Sequence, residues 1–305
     1  MRKFFVTLLH FIAIILGIFT VGLLLPATPT TSKSLLFAQP IKDSLLIHTP
    51  APRMVLVGGS NLSFGLNSEI IQDSLHIHPI NTAIHAALGL IYMLDHTLPF
   101  IQSGDIVVIS PEYEQFYNKF AYGREELLIT ALDVPPRAIH QLGIRQWAAI
   151  YSYLPAYLFS KFMPSQYLYN TESPVYGVSS FNTFGDASGH WQLGKEKFEP
   201  YASLGNKYNP AVVEKLMDFN KKMQEKGATL LVSFPGLQDS TFEKSIPQIA
   251  GIAAALKKNG LTVLGTPARY KMPDSLMFNT PYHLTKAGVD YRTNLLIADI
   301  KKAMQ

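Results

Sequence analysis

The chain has 305 residues, of which 48% are apolar, a formal net charge of +4 and no cysteine. This length fits one large domain, or one domain with an insertion, and the apolar share allows a sizeable core. The lack of cysteine excludes disulfides, thiolate nucleophiles and cysteine-ligated metals, and no dense run of Lys and Arg indicates nucleic-acid binding.

The first 25 residues have the pattern of a membrane anchor. Arg2 and Lys3 precede an apolar run from Phe4 to Leu25, which is about long enough to cross a bilayer as a helix. A cleaved signal peptide usually has a shorter apolar region and a small-x-small cleavage site, and PATPTTSKS offers only a poor one. We therefore predict an uncleaved signal-anchor over 1–25, with the basic pair in the cytoplasm and the rest of the chain outside.

Residues 26–53 begin with many Pro, Thr and Ser residues and end in HTPAPR, which predicts a juxtamembrane linker. Short apolar runs and amphipathic segments then alternate. The predicted strands are MVLVGG (54–59), HPINTAI (78–84), IVVIS (106–110), ATLLVSFP (228–235) and LTVLG (261–265). The main predicted helices lie within 68–75, 85–101, 210–227, 245–260 and 285–304. This alternation predicts an α/β fold with a mostly parallel sheet.

The middle of the chain, about 117–207, keeps neither a helical nor a strand-like pattern of apolar residues for long. It is rich in Tyr, Phe, Pro, Ser and Asn. Within it, QWAAIYSYLPAYLFSKF predicts one or two helices. The segment is too aromatic for a disordered linker. We predict an irregular, aromatic-rich insertion between two halves of the core domain, which spans 54–305.

Ser60 directly follows the first predicted strand, in GGSN. Open α/β folds bind ligands at the carboxyl edge of the sheet, and Gly58 and Gly59 let the backbone approach a substrate closely. A following helix would supply amide donors near the hydroxyl. Ser60 is thus either a nucleophile or a polar residue of a plain turn, since so short a motif fits both.

His283 lies in FNTPYHLTKAG, just before the last predicted helix. A nucleophilic serine needs a base within hydrogen-bond reach, and this histidine is the candidate. The alternative is a loop histidine bonded to the backbone.

Together, GGSN at Ser60 and TPYHLTKAG at His283 resemble the two motifs of the SGNH hydrolase superfamily, the GDSL-like esterases and acyltransferases. The chain looks most like its membrane-anchored bacterial cell-envelope members, which are related to alginate O-acetylation and teichoic acid D-alanine transfer proteins. The resemblance covers 54–116 and 210–305. It implies a three-layer α/β sandwich, a Ser60–His283 site, and no metal or organic cofactor.

The sequence departs from this family at the triad acid. The family has an Asp three residues before the His, where this chain has Thr280, with Asn279 beside it. An Asp fixes the His tautomer and stabilises the imidazolium, whereas Asn279 can only orient the ring. The remaining alternatives are Asp274 as the acid, or a Ser–His dyad.

The resemblance also implies the oxyanion donors: the Ser60 amide, a backbone amide near Ala86, and an Asn side chain at a position that falls near Glu112. An ionised carboxylate there would oppose an oxyanion. Glu112 is therefore protonated, or has a different role, or the site is not hydrolytic. Asn61 and Asn81 are the alternative amide donors.

Two further segments supply candidate pocket residues. SPEYEQF places two carboxylates just past a strand end. They could serve in acid/base chemistry, bind a cation, or belong to a solvated acidic turn. FNTFGDASGHW is either a loop over the site with a sugar-stacking Trp, or a packed loop. The pocket candidates are Gly59, Glu112, Tyr113, His85, Asp186, His190 and Trp191.

The resemblance, together with the Ser60 and His283 motifs, thus implies an envelope-facing serine esterase or O-acyltransferase that acts on a cell-surface polysaccharide or other acylated glycan. The resemblance implies a membrane O-acyltransferase partner. The predicted location is the bacterial inner membrane, with a single pass and the C-terminal domain facing the periplasm or exterior. The alternative is a catalytically weak or inactive SGNH-like module that binds glycan or acts as a scaffold in an envelope assembly.

Overall fold

A computed structural model of the chain describes residues 1–136, 138–168 and 171–305. The α-helices in these ranges are α1 Arg2–Leu24, α2 Pro29–Ser32, α3 Gln39–His48, α4 Ser60–Ser63, α5 Ser68–Leu75, α6 Leu90–Thr97, α7 Glu125–Asp133, α8 Ile144–Ile150, α9 Leu154–Ser160, α10 Ser165–Leu168, α11 Ala211–Glu225, α12 Asp239–Glu243, α13 Ile246–Lys258 and α14 Lys286–Ala303. The strands are β1 Arg53–Gly58, β2 His78–Asn81, β3 Ile106–Ser110, β4 Thr229–Val232, β5 Leu237–Gln238 and β6 Lys271–Met272.

The central sheet has four parallel strands in the order β2-β1-β3-β4. The predicted α/β fold with a parallel sheet is therefore confirmed. The fifth predicted strand is reduced to one parallel bridge, between Val263 and Val232. A separate two-stranded parallel pair joins β5 and β6.

Helices cover both faces of this sheet, which gives three layers. Alternate residues of each strand point to opposite faces, and strands buried on both faces are apolar throughout. Met54, Leu56 and Val108 pack with apolar residues of α5 and α14. Val55, Val57, Val107 and Ile109 pack with α6, α11 and α13 on the other face, where the larger core cluster lies.

The N-terminal helix α1 has 23 residues, is mostly apolar after Arg2 and Lys3, and exposes most of its side chains. At 1.5 Å per residue it is about 34 Å long. An 18-residue stretch of this segment has a mean hydropathy of 2.6, and the helix is long and apolar enough to cross a membrane, by length and composition. Its last turn meets the rest of the protein where Gly22 lies against Leu158 and Phe162.

The predicted linker over 26–53 is corrected by the structure, because it contains α2 and α3 and part of the core. Pro40 lies in the first turn of α3, where the missing N–H costs nothing. Leu46 is buried in the main core. Lys42 is also buried, and its ammonium donates to the carbonyls of Asn81, Ala83 and Gly185 at 2.9, 2.6 and 2.6 Å. Burial lowers the pKa of Lys42 to about 7.

The predicted irregular insertion is irregular only in its second half. Its first half forms α7 to α10, and Leu127, Leu128 and Ala131 of α7 belong to the main core. QWAAIYSYLPAYLFSKF forms two helices, α8 and α9, with a 3₁₀ turn between them. Beyond residue 170 the insertion is mostly loop, apart from a short 3₁₀ turn at Val178–Ser180.

We expect the substitution Asp105→Ala to lower the free energy of unfolding by about 3–5 kcal/mol, because it leaves a buried guanidinium without its counter-charge. The side chains of Arg53 and Asp105 are fully buried, 3.3 Å apart. Urea unfolding of the full chain in detergent measures the change. The exposed pair of Asp218 and Lys222 is the control, and Asp218→Ala should cost less than about 1 kcal/mol. Equal effects of the two substitutions would contradict the prediction.

Candidate functional site

Ser60 lies at the carboxyl end of β1, as the first residue of α4. A Cβ added at Gly59 would lie 2.7 Å from the Cα of Ala86 and 2.9 Å from Glu112 Oε1, so only glycine allows this close packing. The hydroxyl of Ser60 donates to Glu112 Oε1 at 3.2 Å, and the amide of Asn61 donates to the same oxygen at 3.0 Å.

Glu112 reaches Ser60 because β1 and β3 are adjacent and parallel, with Gly58 level with Ser110. Their carboxyl ends therefore meet at one edge of the sheet. Glu112 is only 6% exposed. Burial raises its pKa, against the opposing effect of the hydrogen bonds from Asn61 and Ser60 and of the Arg292 charge. The environment thus favours the protonated carboxyl more than water does.

His283 is buried beside α4, and its ring stacks on Phe64 with the centroids 4.2 Å apart. Burial, followed by the charges of His190 and His85, lowers the pKa of His283 to about 3, so the ring is neutral at neutral pH. Its Nδ1 lies 3.0 Å from Asn279 Oδ1. A carbonyl oxygen only accepts, so Nδ1 carries the proton and Nε2 is the basic nitrogen.

Asn279 is oriented by its own amide group, which donates to the hydroxyl of Tyr176 at 2.8 Å and to Glu196 Oε2 at 3.3 Å. Glu196 therefore contacts His283 only indirectly, through Asn279. Thr280, at the position of the family's Asp, instead accepts from the backbone amides of Tyr282 and His283 at 3.2 and 3.1 Å. It shapes the turn and does not reach the ring.

Backbone hydrogen bonds through Phe64 link the segment of Ser60 to the segment of His283. The amide of Phe64 donates to the carbonyl of Ser60 at 2.8 Å, and the amide of Leu284 donates to the carbonyl of Phe64 at 3.3 Å. Within the described ranges, however, no hydrogen bond joins the Ser60 hydroxyl to the His283 ring, and the serine is bonded to Glu112 instead.

A second carboxyl, the partly buried Glu114, lies in the same region, and its Oε2 accepts from the hydroxyl of Tyr282 at 2.6 Å. Burial and the charge of Glu112 raise the pKa of Glu114 to about 8. Both carboxyls face a cleft of about 440 Å³, within the size range of ligand sites. Its other lining residues include Tyr117, Phe120, Arg124 and Tyr201.

Arg292 is a site residue that the sequence interpretation missed. Its buried guanidinium donates to the carbonyl of Asn61, to Asn61 Oδ1 at 3.0 Å and to Ser110 Oγ at 3.1 Å. It therefore holds the α4 turn against the end of β3. The sequence did contain one signal for this role: Arg292 lies on the apolar face of α14, at helical spacing between Val289 and Leu296.

The side chains of Asn61 and Asn81 do not supply oxyanion donors. The amide of Asn61 donates to the carbonyl of Ser110 at 3.0 Å. That of Asn81 donates to the carbonyl of Leu62 at 3.1 Å and to Asp186 Oδ1 at 2.8 Å. Both groups are occupied in the buried framework behind Ser60, which corrects the prediction of a free amide.

Asp274 and Asp186 also lie outside the reactive centre. Asp274 is exposed and pairs with Lys195 at 2.9 Å and with the side-chain amide of Gln238, so it is not the acid behind His283. Asp186 accepts from the amide and hydroxyl of Ser68, both at 2.8 Å, and thereby caps α5. Its role in the structure is to join the insertion to the core.

The remaining pocket candidates lie around the site. The ring of His190 packs on Phe64, and its Nε2 bonds the carbonyl of Leu284 at 2.9 Å. Trp191 is half-buried beneath the ammonium of Lys286, 4.8 Å from the ring centroid, which favours the packed-loop alternative. The ring of Tyr113 is buried in the core. His85 lies beside Ala86 in a neighbouring cleft.

We expect Asn279→Asp to raise the pKa of His283 by about 1–3 units, because a carboxylate 3 Å from Nδ1–H favours the imidazolium. An NMR titration of the histidine ring resonances in the full chain measures the shift. Asn259→Asp, at the exposed end of α13, is the control that should leave His283 unchanged. An unaltered His283 pKa in Asn279→Asp would show that the 3.0 Å contact does not exist in solution.

No protein-family model matches this chain, and no curated protein matches it. Among solved structures, it is similar to the crystal structure of protein YxiM from Bacillus subtilis, at 14% sequence identity and a TM-score of 0.39. The match covers 83% of this chain and 57% of YxiM, so the chain spans little more than half the length of that protein. The similarity is a distant one of fold.

Proposed function

We propose that this protein is a serine-dependent esterase or O-acyltransferase of the SGNH type. The proposal depends on one arrangement: Ser60 begins α4 at the end of a central parallel strand, and a neutral His283, whose Nδ1 is held by Asn279, stacks on Phe64 at the other end of the same helical turn. Ser60 Oγ attacks the acyl carbonyl and His283 Nε2 accepts its proton. His283 then returns this proton to the leaving oxygen, and water or a sugar hydroxyl resolves the acyl-serine.

In the resting arrangement the Ser60 hydroxyl donates to Glu112, so the reaction requires it to turn towards His283. Catalytic hydrogen bonds are often long or poorly aligned before substrate binds. A substrate carbonyl that displaces the Ser60–Glu112 contact would supply the trigger. The amides of Ser60 and Ala86 are the proposed backbone donors to the oxyanion.

Glu112 is the proposed third oxyanion donor, in its protonated form. Its pKa is raised by burial, and a carboxylic acid kept neutral in an apolar site can donate a hydrogen bond to a developing oxyanion. The hydrogen bonds from Ser60 and Asn61 both reach Oε1, and the Glu112 carboxyl lines the cleft. The acid would thus replace the amide that the resemblance implies at this position.

The proposed substrate is an acylated cell-surface glycan, bound in the cleft of Tyr117, Phe120 and Tyr201, since aromatic rings pack against sugar faces. The apolar helix α1 supports a location at the bacterial inner membrane, with the domain on the outer side. The motif resemblance supports a membrane O-acyltransferase as the source of the acyl group.

Substitutions at Glu112 test this assignment through the pH profile of ester hydrolysis. His283 is already neutral above about pH 3, so the activity of the wild type should fall only on the alkaline side, as Glu112 ionises. Glu112→Gln keeps a donor that cannot ionise and should remove this fall. Glu112→Ala should lower kcat about 10²–10³-fold, as expected for the loss of one oxyanion donor. Glu114, with a pKa of about 8, ionises in both proteins, so an alkaline fall of the same depth and midpoint in Glu112→Gln as in the wild type would exclude the role.

The second candidate function is a non-catalytic glycan-binding or scaffold module. It is favoured by Glu112 Oε1, which accepts both the Ser60 hydroxyl and the Asn61 amide. If Glu112 is ionised at neutral pH, it blocks the oxyanion position. Acylated glycan would then bind without turnover, and Ser60→Ala would not change the affinity.

A further inference from the structure

The segment formed by α9 and α10 lies against the end of the apolar helix α1. A Cβ added at Gly22 would lie 2.9 Å from Leu158 Cδ2 and 3.4 Å from Phe162 Cε2, so this contact is close. Gly22 is two residues from the end of α1. At 1.5 Å per residue, Phe162 lies within about one helical turn of the level at which α1 ends.

The chain that leaves α1 is bound to the same segment, so their relative position is fixed. The ammonium of Lys161 donates to the carbonyl of Pro26 at 3.1 Å. The hydroxyl of Thr28 donates to Gln166 Oε1 at 3.1 Å, and that of Thr30 donates to the carbonyl of Gln166 at 2.9 Å. Residues 26–30, which follow α1, are thus joined to this segment by three hydrogen bonds.

This segment exposes a set of large apolar and aromatic side chains, which we call the apolar shelf: Phe159, Phe162, Met163, Tyr167 and Leu168, between 46% and 75% exposed. The one charged residue between 154 and 168 is Lys161. Its ammonium is buried in an ion pair with Asp133 at 2.7 Å. The shelf is therefore a solvent-exposed apolar surface without exposed charge, and such patches are rare on soluble monomeric proteins.

We propose that the apolar shelf is a second membrane contact, which inserts into the lipid interface on the side where α1 leaves the bilayer. The proposal rests on α1 crossing the membrane. Its occupant is lipid because the shelf continues the apolar surface of α1 at the level where that helix ends. Aromatic and apolar residues without charge suit the boundary between headgroups and acyl chains.

Such a contact determines how the domain sits on the membrane. A single helix leaves a domain free to tilt, whereas a helix and an adjoining shelf define a plane. The domain, including the cleft beside Glu112, then keeps a fixed height and orientation above the bilayer. This orientation is independent of the chemistry at Ser60.

The lack of cysteine makes the shelf directly measurable in the full chain, because each introduced cysteine can carry a unique fluorophore. We would label Phe162→Cys and Leu168→Cys, each in proteoliposomes of phosphatidylcholine. The quenchers are lipid nitroxides at two depths, one near the headgroup end of the acyl chain and one near the bilayer centre, and aqueous iodide. Lys258→Cys, an exposed position near the end of α13, is the aqueous control. Ile14→Cys reports whether α1 is inserted.

We expect the nitroxide near the headgroups to quench both shelf labels at least about two-fold more than the Lys258 label, with iodide showing the reverse order. Shelf labels as open to iodide as the Lys258 label would overturn the proposal, provided that the Ile14 label is quenched from the bilayer centre. Shelf labels shielded from both quenchers would also overturn it, because they would indicate a protein partner or a second copy. A water-exposed Ile14 label would show that the anchoring itself is wrong.

Discussion

Replacing Ser60 by alanine is expected to lower ester turnover on the order of 10⁴-fold or more, leaving only the residual catalysis that substrate binding and the oxyanion donors supply. In the proposed mechanism Ser60 Oγ forms the acyl bond, and no neighbouring group can substitute for it. Hydrolysis of p-nitrophenyl acetate by the purified full chain measures the loss. Substrate binding should persist, because the cleft residues remain in place.

Ser63→Ala is the matched control for this variant. Ser63 lies on the same short helix, and its hydroxyl is buried and donates to the carbonyl of Ala83 at 2.6 Å. Its loss removes a buried hydroxyl without touching Glu112 or His283, so turnover should stay within a few-fold of the wild type. Equal activities of Ser60→Ala and the wild type would exclude Ser60 as the nucleophile.

Replacing His283 by alanine is expected to lower kcat about 10²–10⁴-fold, the usual contribution of a general base. The variant also leaves a cavity against Phe64, on which the ring stacks. Added imidazole should enter this cavity and restore part of the activity, which a purely structural histidine would not allow. The double variant with Ser60→Ala should be no slower than Ser60→Ala alone, because the two groups act in one step.

His96→Ala separates this effect from a general loss of stability. His96 is a partly buried histidine of α6 that pairs with Asp43 at 2.8 Å, and it takes no part in the proposed chemistry. Its replacement should lower stability and leave kcat unchanged. If His283→Ala retains the kcat of the wild type, another group must take the proton from Ser60.

The sequence predicts the central sheet and the helices that cover it well, because strands such as β1 and β3 are short, wholly apolar runs buried on both faces. It predicts α3 and α7 poorly. The buried face of α3 contains the charged residues Lys42 and Asp43. The burial of Lys42 depends on three carbonyls from distant parts of the chain. No local pattern reveals such a partner set.

In the candidate site, too, local motifs were predictable and long-range contacts were not. Ser60 and His283 follow from short motifs, and Asn279 follows from its position near His283. The contacts that define their chemistry are long-range ones: Glu112 is 52 positions from Ser60, and Arg292 is 231 positions from Asn61. Only the parallel pairing of β1 with β3 and the docking of α14 bring these groups together. The free-amide roles suggested for Asn61 and Asn81 were wrong because the fold uses both amides internally.

The central claim is that Ser60 is a reactive nucleophile, and a fluorophosphonate reagent tests it most directly. The full chain would be treated in detergent and the modified peptide identified by mass spectrometry, with Ser60→Ala and Ser63→Ala alongside. We expect a single phosphonylated residue, Ser60, in the wild type and in Ser63→Ala, and none in Ser60→Ala. A correctly folded wild type that stays unlabelled, or that is labelled at another serine, would contradict the proposed function.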